Sequence, residues 1–310
     1  MINVEKNDTI ICRILTGPTA SGKTEIGIRL ALEEGWDILC MDSMQIYRRM
    51  DIGTAKPTNK EMRGVRHFLM DICEPADPYS VSDYCNEAEK IILQEHREGR
   101  GFLIVGGTSL YMQALMHPMG MGQVPPNEEL RIKLNLQAST AEGKQELHER
   151  LRNIDPETAE RLPVNDVRRI IRAIEVWEAT GIPFSRQPQK ESDSRFQWKA
   201  VSTQMERELL YDRINRRVTE MIEKGLKEEV ESLLQSGVPE NAQSMMGIGY
   251  KEMIPCVYGE YSLDEAADRI RLATRHYAKR QMTFLRREES IRYVRTDMEG
   301  AYEEIRSILI

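Results

Sequence analysis

Eight residues near the start of the chain, Gly17-Pro18-Thr19-Ala20-Ser21-Gly22-Lys23-Thr24, match G-x-x-x-x-G-K-[ST] without a mismatch. Such a loop holds a phosphate chain. Its glycines let the backbone curl until several N–H groups face one anion, and the helix that follows adds positive potential at its N-terminus. Lys23 supplies a full charge, and Thr24 offers a hydroxyl to a magnesium ion bridging the phosphate oxygens. The loop specifies phosphate but not a reaction. A kinase would hold a triphosphate such as ATP and pass on the terminal phosphoryl group. A prenyl transferase would hold a diphosphate as its leaving group, and the same cradle would stabilise the charge developing there. A GTPase is disfavoured: the N-K-x-D-like stretch Asn59-Lys60-Glu61-Met62 fails at its last position.

Something must position that loop. Ile10–Leu15 is a strand-like run before it, and Lys23–Glu34 has helical spacing with Gly35 as its stop. Trp36–Met41, Phe68–Ile72 and Phe102–Val105 read as further strands, and Ser82–Glu98 reads as a helix. Strands alternating with helices predict an α/β fold with a parallel sheet. Residues 118–194 break the alternation. They are charged, punctuated by leucine and helical in pattern, with Asp155-Pro156 as one helix start and Asn165 or Asp166 as the cap of another. That helix stops at Thr180-Gly181-Ile182-Pro183, and Gln187–Ser194 reads as a linker back to a strand at Gln197–Ser202. The expected organisation is a core of residues 1–117 and 195–310 with a small all-helical insertion at 118–194. Ser262-Leu263-Asp264-Glu265 is a capping-box pattern opening a long helix to about Arg287.

Two more segments sit where an open α/β sheet places ligands, at the ends of strands. One is Asp42-Ser43-Met44-Gln45-Ile46-Tyr47, followed by Met50-Asp51-Ile52-Gly53-Thr54-Ala55-Lys56-Pro57; the other is Val105-Gly106-Gly107-Thr108-Ser109-Leu110-Tyr111. Taken singly, Asp42 could be a helix cap or a partner of the magnesium shell, and Gly106-Gly107 an ordinary tight turn. In this order behind the phosphate loop, the segments closely resemble the tRNA dimethylallyltransferase family. The resemblance continues through residues 165–175 (NDVRRIIRAIE), Gly249-Tyr250-Lys251 and residues 273–286 (ATRHYAKRQMTFLR), and so spans nearly the whole chain.

That resemblance implies a P-loop NTPase-like fold. It also implies a reaction: the loop holds dimethylallyl diphosphate with Mg2+, and the acceptor is the N6 amine of the adenine immediately 3′ of the tRNA anticodon. Asp42 matches the family's general base, and Thr19 a residue at the diphosphate. Arg217 matches an arginine that holds the diphosphate, with Arg213 and Arg216 as alternative counterparts. Contacts to the anticodon stem-loop fall on Asp42, Ser43, Met44, Gln45 and Thr108, and on Arg131, Arg168, Arg169, Ile170, Ile171 and Arg172. They also fall on Gly249, Tyr250 and Lys251, and on Lys279, Arg280, Gln281 and Arg286. The family often carries an arginine where this chain has Met246, a departure that implies one polar contact missing or moved. The chemistry is coherent. Adenine's exocyclic amine is a weak nucleophile that an ordinary carboxylate cannot deprotonate beforehand. A carboxylate can accept the proton as the nitrogen bonds to an allylic carbon of cation-like character. The base must leave its stack to get there.

Charge distribution fits a polyanionic partner better than the total does. The 310 residues carry a formal net charge of −7, yet Arg271–Arg287 contains no acidic residue, and Arg271, Arg275 and Lys279 recur every four positions on one helical face. An uncompensated basic face in an acidic chain is what a backbone-phosphate footprint looks like. Tyr277 could stack on a base, whereas Phe284 reads as core. No apolar run reaches the length of a membrane span, and residues 1–8 are polar, so a cytoplasmic protein is expected. The five cysteines lack C-x-x-C spacing, which argues for buried reduced thiols over a zinc site. A monomer is expected. A small-molecule kinase and a non-catalytic RNA-binding protein are the competing readings. The first leaves the basic helices unexplained; the second leaves Lys23, Thr24 and Asp42 unexplained.

Overall fold

A computed structural model describes residues 9–117, 124–188 and 195–310. Six strands form one parallel sheet: β1 (Ile10–Thr16), β2 (Asp37–Cys40), β3 (His67–Phe68), β4 (Phe102–Val105), β5 (Phe196–Gln204) and β6 (Ile291–Arg295), in the spatial order β3-β2-β4-β1-β5-β6. Helices α1 (Lys23–Glu34), α2 (Asn59–Met62), α3 (Val81–Arg97) and α4 (Ser109–Met116) belong to its first half. The insertion contributes α5 (Glu128–Gln137), α6 (Ala141–Ile154), α7 (Pro156–Arg161) and α8 (Val167–Thr180). After β5 come α9 (Arg207–Glu223), α10 (Leu226–Gln235), α11 (Tyr250–Val257), α12 (Leu263–Leu285) and α13 (Ala301–Leu309).

The chain divides into two compact units, Met1–Met116 with Asp193–Ile310, and His117–Ser192. In the first, the inner strands are buried on both faces, as a sheet covered by helices requires: all four residues of β4, and Ile14, Leu15 and Thr16 of β1. Register aligns the strand ends. Leu15 pairs with Val105, Cys40 with Val105, and Thr16 with Ser202, so four loops leave the sheet at one rim. Helix α1 begins at left-handed Gly22 (φ 89°) and stops at left-handed Gly35, whose N–H returns to the Ala31 carbonyl. Helix α3 has a complete capping box at Ser80 and Asp83.

Two local expectations need correction, and one strand had none. The apolar run Phe68–Ile72 is not a strand beyond Phe68. Leu69 and Asp71 take φ of 58° and 55°, and the Asp71 and Ile72 amides donate to Gln45 and Ile46 instead of to a ladder. Ser262 caps α12 through the Glu265 amide, but the Glu265 carboxylate is drawn to Arg269 and does not reach back, so half the box forms. Strand β6, absent from the sequence reading, completes the sheet beside β5.

In the second unit α5 to α8 enclose their own apolar core, including Leu134, Leu147, Leu151, Ile170, Ile171 and Ile174. Asp155 caps α7 through the Thr158 amide, with Pro156 at the first position, and also accepts from the Ser185 amide at 2.8 Å. Asp166 occupies the cap position of α8 without a capping bond and pairs instead with Arg169 at 3.3 Å. Most of the linker expected at Gln187–Ser194 lies outside the described residues.

Candidate active site

Between β1 and α1 the backbone folds into a tight cup. Gly17 runs at φ 140°, Ala20 at 64° and Gly22 at 89°. A β-carbon on Gly17 would stand 2.0 Å from the Thr203 hydroxyl and 2.8 Å from its carbonyl oxygen, so only glycine fits against the end of β5. Ser21 is spent on structure: its hydroxyl meets the Pro18 carbonyl at 2.7 Å and Thr203 Oγ1 at 2.6 Å. Helix α1 starts with no side-chain cap, and its first backbone hydrogen bond is made by Ile26. The amides of Lys23, Thr24 and Glu25 therefore precede the helical ladder and offer donors to an anion.

Cations converge on this cup. Lys23 Nζ donates to the Pro18 carbonyl at 3.1 Å. Burial pushes its ammonium down to about 8, Asp42 opposes that shift and the positive charge of Arg217 adds to it. Burial, and then the charge of Arg213, holds the Arg217 guanidinium below its ordinary value. Arg213 itself lies by Gly22, its guanidinium 3.6 Å from where a β-carbon would be. Arg216 does not take part; it is ion-paired with Asp212 one turn earlier on the exposed flank of α9. Like charges held together at a half-buried loop are unfavourable until an anion joins them. Of the three arginines, Arg217 and Arg213 therefore belong to the cup.

Asp42 stands two residues past β2. Its Oδ1 accepts from the amides of Met44 at 2.9 Å and Gln45 at 3.4 Å, an arrangement that ties the carboxylate to its own loop. Thr108, after β4, accepts the Ser43 amide on its hydroxyl at 2.9 Å, and Tyr277 of α12 lies beside it. The charge of Asp42 acts on both Lys23 and Tyr277, so the carboxylate lies near both the cationic cup and α12. A β-carbon on Gly106 would collide with the Met41 carbonyl at 2.0 Å, which is how the β2 and β4 loops come so close.

A phosphate cup, a carboxylate and a hydroxyl-lined loop thus share one rim. Residues 45–288 match the IPP transferase family model. A tRNA dimethylallyltransferase of Thermoanaerobacter sp. (strain X514) is 41% identical over 302 residues, 96% of this chain and 95% of that protein. The chain belongs to the tRNA dimethylallyltransferase family. The homologue from Shouchella clausii is 45% identical over 272 residues, covering 88% of this chain and 87% of its own length. Among solved structures, the full-length tRNA isopentenylpyrophosphate transferase of Bacillus halodurans superposes with a TM-score of 0.70 at 37% identity, covering 97% of this chain and 95% of that one. The sheet and its helices are accordingly the P-loop NTPase-like fold of these transferases.

Among the residues that the sequence assigns to tRNA, the structure separates exposed side chains from committed ones. Lys251, Lys279, Arg280, Arg286, Arg168 and Arg169 are exposed. Tyr250 is fully buried and donates to Glu229 Oε1 at 2.6 Å, with Gly53 packed against its ring; it is a structural residue, not a surface contact. Ile170 and Ile171 lie in the insertion's core. Arg131 and Arg172 both pair with buried Glu175. Gln45 donates to the carbonyls of Thr54 and Ala55 at 3.2 and 3.4 Å, and Met44 packs on Gly247. Gln281 is buried beneath the cup. On the basic face of α12, Arg271 pairs with Asp268, and Arg275 donates to Asn215 at 2.6 Å and lies over Tyr211. Both brace α12 against α9 instead of pointing outward.

Sequence reasoning missed Glu229. Its carboxylate accepts the successive amides of Asp51, Ile52 and Gly53 at 2.9, 2.8 and 3.0 Å, and so shapes the loop that carries the Gln45 partners. A glutamate on a charged helix 176 to 178 residues away gives no local signal of this.

Proposed function

We propose that the chain transfers the dimethylallyl group of dimethylallyl diphosphate to the N6 amine of the adenine immediately 3′ of the tRNA anticodon, releasing diphosphate. The observation that carries this reading is a carboxylate, Asp42, beside a cluster of like charges, Lys23, Arg213 and Arg217, at one rim of the sheet. The cluster and the amides at the start of α1 bind the diphosphate and stabilise it as it leaves. Asp42 accepts the amine proton as the C–N bond forms. The exposed Thr24 hydroxyl, a hard oxygen donor at the second position of α1, fits a magnesium ion carried on the diphosphate. When bound, that ion neutralises phosphate charge. Among the described residues no group of three or more His, Cys, Asp or Glu offers a separate metal site, and no helix is long and apolar enough to cross a membrane. The reading carries with it a cytoplasmic, monomeric enzyme.

The test is a transfer assay with purified protein, magnesium, radiolabelled dimethylallyl diphosphate and unmodified tRNA. Label entering the tRNA, dependent on magnesium and absent when that adenine is replaced, supports the reaction. ATP consumption with a small acceptor and no label in tRNA would replace it with a kinase.

Two further results are expected. Diphosphate will stabilise the charged form of Lys23, whose value in the free protein is pushed down to about 8. Binding therefore takes up a proton, and affinity weakens as pH rises above about 8. Calorimetry at pH about 8.5 in buffers of different ionisation heat reads the uptake, and Lys23→Met should remove it; identical heats in wild type would contradict the assignment. Second, neutralising Lys279 and Arg280 should weaken tRNA binding and flatten the plot of log K against log salt by about 0.7 to 0.9 per lost phosphate contact. An unchanged slope would make these residues ordinary surface charges.

A further inference from the structure

Gln281 sits on the inner side of α12 with only 4% of its surface exposed. Its side-chain oxygen accepts from the Thr19 amide at 2.9 Å, and its side-chain nitrogen donates to the Gly107 carbonyl at 2.7 Å. The partners fix which way the amide points, because a backbone N–H only donates and a carbonyl only accepts. Thr19 belongs to the phosphate cup after β1. Gly107 precedes Thr108 in the loop after β4. One side chain therefore spans the two halves of the site.

The fit around it is tight. A β-carbon on Gly107 would stand 2.5 Å from the Gln281 nitrogen, 3.3 Å from the Gly17 carbonyl oxygen and 3.4 Å from Lys23 Nζ. One turn earlier on the same face, Tyr277 lies beside Thr108. Buried Ala278 packs with Ala20 of the cup, while neighbouring Lys279 and Arg280 are exposed. The same helix turn thus touches the cup, touches the Gly107-Thr108 loop and offers cations to solvent.

We propose that Gln281 is a positioning residue that couples the diphosphate cup to the loop receiving the adenine, so that a ligand at either one restrains the other. This rests on the reaction proposed above. Two hydrogen bonds at fixed spacing hold the Thr19 and Gly107 backbones in one register. An anion that orders the cup thereby orders the Gly107-Thr108 loop before the base arrives. By linkage a base held at that loop must tighten the cup by the same factor.

The experiment measures the affinity of the whole chain for inorganic diphosphate with magnesium, with and without saturating unmodified tRNA, so that no turnover intervenes. In wild type tRNA should change that affinity about fivefold or more. In Gln281→Met, similar in size but unable to make either bond, the ratio should fall to about one, whatever the shift in affinity for each ligand alone. A general loss of folded protein would lower the bound fraction but not the ratio. Should Gln281→Met melt early, Gln281→Glu keeps the acceptor for Thr19 and sets an oxygen against the Gly107 carbonyl; a ratio between one and the wild-type value supports the coupling. A wild-type ratio of one, or a wild-type ratio preserved in either folded variant, overturns it. Coupling in a wild-type protein that transfers no label would instead sink the reaction and leave the coupling standing.

Discussion

Asp42→Asn is expected to lower transfer to tRNA by about 10²- to 10⁴-fold, the usual contribution of a general base, while tRNA affinity changes little. Asparagine is the sharper substitution than alanine. It keeps a side-chain oxygen for the Met44 and Gln45 amides, so the loop retains its shape and only the proton acceptor is lost. It has a second consequence. The Asp42 charge opposes the burial that depresses Lys23, so removing it should bring Lys23 to lose its proton at still lower pH. The proton taken up on diphosphate binding should then appear at lower pH than in wild type. Single-turnover transfer and calorimetry read the two effects separately. Wild-type turnover in Asp42→Asn would remove Asp42 as the base, and an unmoved proton uptake would separate it from the cup.

Glu175→Ala is expected to destabilise the helical insertion by about 3–5 kcal/mol, the usual cost of breaking a buried ion pair. Glu175 is 1% exposed and accepts from Arg131 at 2.8 and 3.0 Å, from Arg172 at 2.5 Å and from the Asn127 amide at 2.7 Å. Burial alone would raise its carboxyl, but these donors win and hold it below the ordinary carboxylate value. The sign follows. The unfolded chain binds this proton at higher pH than the folded one, so the stabilisation is complete above the ordinary carboxylate range. It is lost as pH falls through the depressed folded value. Hydrogen exchange across residues 124–188 should show faster opening in the variant at neutral pH. In wild type the same opening should appear only on acidification. Equal protection in both at pH 7 would mean that the triad contributes nothing net, as some buried pairs do.

The parts of this molecule that sequence makes legible are those whose partners are close along the chain. The phosphate cup is a run of eight residues with its strand and helix attached, and Asp42 and Gly106-Gly107 follow strands directly. Segment types were readable for the same reason, since apolar runs and glycine stops are local. Where a run failed, as at Phe68–Ile72, amides were claimed by residues 45 and 46. The supporting polar residues were not legible. Gln281 lies in a run of cations and reads as surface, and nothing local announces that its partners are 262 and 174 residues away. Arg131 and Arg172 read as hands for nucleic acid because their shared acceptor, Glu175, lies on a helix whose burial only the tertiary fold decides. The alternative among Arg213, Arg216 and Arg217 turned on helical phase relative to the cup.

Strand β1 is flanked by β4, made before the insertion, and by β5, made after it. The floor of the phosphate cup depends on the second neighbour: Thr203 supplies the hydroxyl that meets Ser21 and donates to the Thr16 carbonyl at 3.2 Å. A chain emerging from the ribosome therefore has its eight-residue signature from the start, yet cannot finish the cup until the whole insertion has been synthesised. The helical unit has all of its own core residues by Phe184 and can close first. The catalytic half thus completes itself only after the insertion has been made, and a message truncated before β5 would yield a cup without a floor.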